Sequence, residues 1–208
     1  MADDTRAPST VGDDLAFLRA VAEQGRRAAK LYGGHLILWG AVIAAAYVNQ
    51  YAVEATPGAS YWRVGVGYLA MSIGGWLGTG ALVVREKAKA AAQPASARIF
   101  AMIFFSAGLS LTAFALGAGF TDAIPDDVIV LVAAQAMGLC FLALGFLAET
   151  RWLVGVGVAW LAASLALPAL IERPVFYLAS AFVWLALMVG PGVVLSRKAA
   201  QTAGETRP

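Results

Sequence analysis

The sequence predicts an all-α, polytopic integral membrane protein with six transmembrane helices preceded by an amphipathic interfacial helix. Three observations predict it. The first is the run from Trp62 to Val84, WRVGVGYLAMSIGGWLGTGALVV, whose single charge, Arg63, stands at its start. As a helix rising ~1.5 Å per residue, a stretch of this length spans the ~30 Å hydrocarbon core of a bilayer. The second is composition: 60% of the 208 residues are hydrophobic and 13% charged, with a mean hydropathy of +0.73. Soluble domains hold about 45–50% apolar and about 25% charged residues. The third is the placement of Lys and Arg, which gather on alternate connections between apolar runs.

Residues 1–9 are polar, contain Pro8 and read as a disordered N-terminus. The start, MADDTRAPST, is acidic where a cleavable signal would be basic, so membrane insertion falls to the first span. Residues 10–30 predict an amphipathic helix along the cytoplasmic membrane surface, with Leu15, Leu18, Val21 and Ala22 on one face. Asp13 and Asp14 suit its positive end, and Arg26, Arg27 and Lys30 its negative end. Because the apolar face is narrow, a helix packed on the protein's own loops is the other reading.

The transmembrane domain occupies 31–195, with spans at approximately 31–52, 62–84, 99–120, 128–148, 152–171 and 175–195. The connection from Arg85 to Arg98 is charged, Ala-rich and broken by Pro94, as a solvated linker would be. Residues 196–208 read as a polar, mobile cytoplasmic tail. One side of the membrane receives Arg85, Lys87, Lys89, Arg98, Arg151, Arg197 and Lys198 together with the basic lead-in; the other receives Arg63 and Arg173 alone. The positive-inside rule then places both termini in the cytoplasm. Losing one span would put the basic tail outside. Tyr47, Tyr51, Tyr61, Trp62, Phe120, Phe176 and Tyr177 form the expected outer aromatic belt, with Tyr32, Phe100 and Trp152 at the inner one. Glu54 with Arg63, Glu149 with Arg151 and Glu172 with Arg173 read as turn anchors at headgroup level.

Several function classes drop out. A net charge of +2 gives no reason to expect a nucleic-acid partner. One His and one Cys leave no ligand set for a zinc cluster, a bis-histidine haem or a Cys-ligated iron–sulfur centre, so neither metal nor cofactor is expected. Cys140, inside an apolar run, reads as a small buried hydrophobe. No G-x-S-x-G, H-E-x-x-H, Walker A or dinucleotide pattern occurs, so the expectation is no enzyme.

A polar residue is most costly inside the membrane, so the candidates for function are sought there. No Asp, Glu, Lys or Arg falls between the interfaces of any span, which removes the midplane group a proton-coupled transporter needs. His35 reads as an interfacial anchor, with proton sensing or ligand contact the other reading, and Asn49 and Gln50 as interface-solvated, with closure of an outer vestibule the other. Gln135 lies deeper, where its amide must meet a partner helix or a water-filled cavity. Trp39, Trp76, Trp160 and Trp184 lie well inside their spans. Four deep indoles either pack the bundle or line a pocket for a flat apolar or cationic ligand. Ser72, Ser106, Ser110 and Thr112 are the expected acceptors for their N–H groups. The candidate ligand-binding set is therefore Trp39, Trp76, Gln135, Trp160 and Trp184, with no catalytic or metal-binding residue beside it.

Gly74-x-x-x-Gly78, followed by Gly80, predicts a groove for close packing inside the bundle or for homodimerisation. Gly117, Gly119, Gly155 and Gly157 offer the same elsewhere. Pro168 predicts a kink in span five, and Gly190-Pro191-Gly192 a weak inner end to span six. Val64-Gly65-Val66-Gly67 recurs as Val154-Gly155-Val156-Gly157, a faint internal similarity of the kind transporters carry.

The stretch DDLAFLRAVAEQGRRAAKLYGGHLILWGAVIAAAY, Asp13 to Tyr47, with its Arg pair, Gly-Gly and Leu-x-x-Trp-Gly, resembles the opening of small uncharacterised bacterial inner-membrane proteins. The resemblance implies a bacterial source and brings no functional residues. The sequence therefore leads to a non-enzymatic component of the bacterial inner membrane. It would bind a small apolar ligand, a lipid or a partner protein within its bundle, in a sensor or accessory role. A facilitator of a neutral solute is the alternative, and a structural subunit of a larger membrane complex the third reading.

Overall fold

Hydrocarbon offers no partner to a backbone N–H or C=O, so a chain of this composition folds into helices or a closed barrel. The computed structural model describes residues 33–87, 95–121 and 124–205, together with Gly12. Within these the secondary structure is helical throughout. The predicted disordered start and, Gly12 apart, the amphipathic lead-in lie outside the described residues.

The elements are α1 (Gly33–Glu54), α2 (Trp62–Lys87), α3 (Ala95–Thr121), α4 (Asp126–Leu147) and α5 (Arg151–Ala166). A 3-10 turn, Leu167–Leu170, extends α5; α6 (Val175–Trp184), a π turn (Leu185–Val189) and α7 (Gly190–Glu205) follow. Six stretches of the described residues have the length and apolarity to cross a membrane: Gly33–Glu54, Trp62–Arg85, Ala101–Ala118, Asp126–Leu147, Arg151–Leu170 and Val175–Lys198. The chain is a polytopic helical membrane protein.

Local chemistry sets the helix ends. Helix α4 opens after Pro125, with Asp126 and Asp127 in the first turn, where the dipole is positive. It closes in a Schellman motif: the Thr150 N–H donates to the Gly145 carbonyl at 2.8 Å and the Glu149 N–H to Phe146 at 3.1 Å. Glu149 adopts φ 49° there, a position usually given to glycine. Pro168 ends α5 rather than bending it, because it has no N–H for the carbonyl four residues back and the chain tightens into a 3-10 turn. In span six the break comes before Gly190-Pro191-Gly192, as the π turn, and the helix then runs on to Glu205. The polar tail continues this helix as far as Glu205.

Glycines set which helices approach closely. Helices α4 and α5 make the most extensive contact. A Cβ on Gly157 would stand 2.8 Å from the Leu142 backbone N and 3.0 Å from the Gly138 carbonyl. Helix α1 is central, touching α2, α6, the π turn and α7. Its Gly33 faces Gly192, where an added Cβ would come 2.8 Å from the Gly33 carbonyl. The span-two groove forms at Gly78, as expected, and at Gly75 in place of Gly74. Gly74 and Gly80 meet nothing within 4 Å, while Gly75 and Gly78 receive the side chains of Trp39 and Leu38. Gly117 and Gly155 are likewise open.

Helices α2 and α3 stand at the periphery. Val66, Leu69, Ile73, Leu77 and Val84 on α2, and Met102, Phe105, Leu109 and Leu116 on α3, are exposed. In water such stripes would form a large unpartnered apolar surface; in a bilayer they face acyl chains. The connections after α1, α3 and α5 lie at one end of the bundle with Glu54, Asp126, Asp127, Glu172 and Arg173. Arg85, Arg151, Arg197 and Lys198 mark the other end, where the Lys198 ammonium sits 5.5 Å from the centroid of the Trp152 ring.

Candidate functional site

Two side-chain assemblies occupy opposite halves of the bundle. The first lines a cavity of about 250 Å³ in the half nearer the basic end. Helix α1 supplies His35, Leu36, Trp39 and Ile43, α2 supplies Trp76, Thr79 and Val83, and α3 supplies Ala101, Phe104, Phe105 and Gly108. Met137 of α4 and Trp184 and Met188 of span six complete the wall. Helical spacing explains the contributions: His35, Trp39 and Ile43 recur every fourth residue, as do Ala101, Phe105 and Gly108 within one residue.

The aromatic rings are arranged edge to face. Trp39 and Trp76 meet at 5.2 Å between centroids with planes at 75°, and Trp76 meets Phe105 at 5.6 Å and 78°. These are the geometries the ring quadrupoles favour. The Trp39 indole N–H donates to the Thr79 hydroxyl oxygen at 2.9 Å, tying α1 to α2. Behind the wall, Trp160 packs on Trp184 at 4.9 Å and is 0% exposed. Its N–H donates to the Leu187 carbonyl at 3.2 Å.

Of the five residues singled out from sequence, Trp39, Trp76 and Trp184 line the cavity together. Trp160 supports the wall from outside it. Gln135 stands on the exposed face of α4, away from the cavity. The expected acceptors Ser72, Ser106, Ser110 and Thr112 do not serve the indoles of Trp39 and Trp160; Thr112 bonds to the Gly108 carbonyl in its own helix at 2.8 Å. His35, read as an interfacial anchor, is part of the lining. Phe104, Phe105 and Met188 were not singled out. Apolar residues in an apolar span carry no signal of which face they take, and only spacing from Trp76 and Trp184 through a known packing could have found them.

The second assembly lies towards the acid-rich end. Gln50, expected to be solvated at the interface, is 0% exposed. Its Nε2 donates to Glu54 at 3.1 Å and to Asp126 at 3.2 Å, and its Oε1 accepts from the Tyr68 hydroxyl at 2.6 Å. The Tyr61 hydroxyl donates to the same Asp126 oxygen at 2.6 Å. Burial and this carboxylate push the Tyr61 phenol above its ordinary pKa. The node joins α1, α2 and α4. Glu54 accepts from Gln50 one turn before it in the same helix, where the sequence suggested Arg63 as its neighbour. A shallower cavity of about 180 Å³ lies beside the node, with Glu54, Asp127, Glu172, Arg173 and Tyr177 in its wall.

Tyr47 stands between the two assemblies. Its ring meets Tyr68 at 6.3 Å, Tyr177 at 6.5 Å and Trp184 at 6.3 Å. Among the described residues no group of three or more His, Cys, Asp or Glu is placed to hold a metal ion. Fold and site together define an integral membrane helix bundle with an aromatic cavity in one half and, in the other, a polar node centred on the buried Gln50. No family model, no curated protein and no solved structure matches the chain.

Proposed function

We propose that this protein is a non-enzymatic membrane component that binds a small apolar ligand in the cavity between α1, α2, α3 and span six. The observation that carries the reading is the convergence of Trp39, Trp76 and Trp184, from three different helices, on one apolar cavity. Pockets that bind small molecules combine such walls with a few placed polar groups. Here those are Thr79 and His35. The site lies in the bacterial inner membrane with both termini cytoplasmic, and occupancy is reported to a partner membrane protein or a second copy through the basic lead-in helix. The facilitator reading is the weaker one, because Tyr47 and its aromatic neighbours fill the space between the cavity and the acid-rich end.

A thermal-shift screen of small apolar compounds against the protein in nanodiscs tests the proposal. Trp76→Ala and Trp184→Ala should each weaken a hit by about ten-fold or more, equivalent to roughly 1.4 kcal/mol. Unchanged affinity in both variants removes the cavity as the binding site.

A further inference from the structure

The ligand class of this cavity follows from its size, its lining and the side on which it opens. We infer that it takes an uncharged, planar aromatic molecule of about two fused rings carrying one hydrogen-bond acceptor, which enters from the bilayer between α2 and α3 and meets the Thr79 hydroxyl. The inference rests on the ligand-binding reading above and narrows it.

Size comes first. An apolar cavity of about 150 Å³ holds benzene, and this one measures about 250 Å³. A whole two-chain lipid does not fit in such a space, which would admit at most part of one acyl chain from the bilayer side. Shape follows from the walls: Trp39, Trp76 and Phe105 present edges and faces in successive T-shaped contacts, which suit a flat π-system better than a coiled chain. Charge follows from the described residues of the lining, among which His35 is the one titratable side chain and no carboxylate, ammonium or guanidinium occurs. A charged ligand would lose its hydration there without a counter-ion.

The acceptor is specified by Thr79. Its oxygen already accepts the Trp39 N–H, and among the described residues its hydroxyl makes no further hydrogen bond. A hydroxyl has one proton to give as well as lone pairs. That proton is the donor available to a ligand carbonyl or ether. The entrance is marked by Phe105, which both lines the cavity and is 55% exposed on the lipid-facing surface. Helix α2 packs on α1 and α3 packs on α4, so Trp76 and Phe105 meet across a seam that faces the acyl chains.

The test uses the full chain in nanodiscs, with naphthalene, 2-acetylnaphthalene and dodecane as probes and protein-free nanodiscs as the reference for partitioning. Quenching of tryptophan fluorescence and thermal shift report binding. The wild-type protein should bind 2-acetylnaphthalene about five-fold more tightly than naphthalene, the worth of one net hydrogen bond. Thr79→Val should erase that preference and Thr79→Ser keep it, while naphthalene affinity reports whether the cavity stays open in either variant. Equal wild-type affinity for the two rings overturns the assigned acceptor contact, with no variant needed. Dodecane binding in preference to both rings overturns the planar class and leaves the ligand-binding reading standing. Failure of all three probes to bind brings down that reading itself.

Discussion

The indole N–H of Trp160 on α5 reaches the carbonyl of Leu187 in span six at 3.2 Å. Leu187 stands four residues before Pro191, the residue whose N–H would satisfy that carbonyl in a regular helix. Proline has no N–H, and its ring clashes with the preceding turn. The π turn at Leu185–Val189 widens the helix at that point, with the Gly190 N–H donating to Leu185. Trp160 supplies the missing donor from the neighbouring span, as interhelical groups do when proline interrupts a transmembrane helix.

This relationship predicts coupling. Trp160→Phe should destabilise the protein by about 1–2 kcal/mol, through the orphaned carbonyl and reduced packing. Pro191→Ala restores an N–H to span six, so the same Trp160→Phe change should cost about 1 kcal/mol less in that background. A double-mutant cycle by reversible unfolding in detergent measures the difference. Additive effects would mean that the two sites act independently.

The two glutamines should behave in opposite ways to their order of depth along the sequence. Gln50, itself fully buried, serves Glu54, Asp126 and Tyr68, and its removal takes one hydrogen-bond partner from each. Hydrogen bonds in membrane proteins average about 0.6 kcal/mol each, so Gln50→Leu should cost about 2 kcal/mol. Gln135→Leu, on an exposed face, should change stability by no more than about 0.5 kcal/mol. Unfolding midpoints of the two variants, measured side by side, provide the check.

Two glycines on roughly opposite faces of α5, only two residues apart, should separate as sharply. Gly157→Ala drives a Cβ against the backbone of α4 and should cost about 1–3 kcal/mol. Gly155→Ala meets nothing within 4 Å and should be neutral or slightly stabilising, since alanine is the better helix former. Thermal stability of the two variants decides it.

What could be read from the sequence follows from how strong each signal is. Runs such as Trp62–Val84 declare membrane spans because length and the absence of charge suffice, and the six observed stretches fall within a few residues of those expected. Three of the four deep tryptophans also converge as a pocket wall. Facing is harder to read. In lipid-facing helices both faces are apolar, so no amphipathic period separates Gly74 from Gly75, or the exposed side of α4 that carries Gln135 from its buried one. Gln50 went the other way: its position near a span end suggested solvent, but Tyr68 on α2 and Asp126 on α4 take up its amide. The π turn was anticipated only as weakness near Gly190-Pro191-Gly192, because sequence marks the proline and not the donor that answers it.

Every functional statement depends on six crossings with alternating direction, and cysteine accessibility tests that most directly. In a Cys140→Ser background, Asp126→Cys and Lys198→Cys are labelled in intact cells and again after permeabilisation with a membrane-impermeant maleimide. The account predicts that Asp126→Cys reacts in intact cells and that Lys198→Cys reacts only after permeabilisation. Labelling of both positions from the same side of the membrane would contradict it.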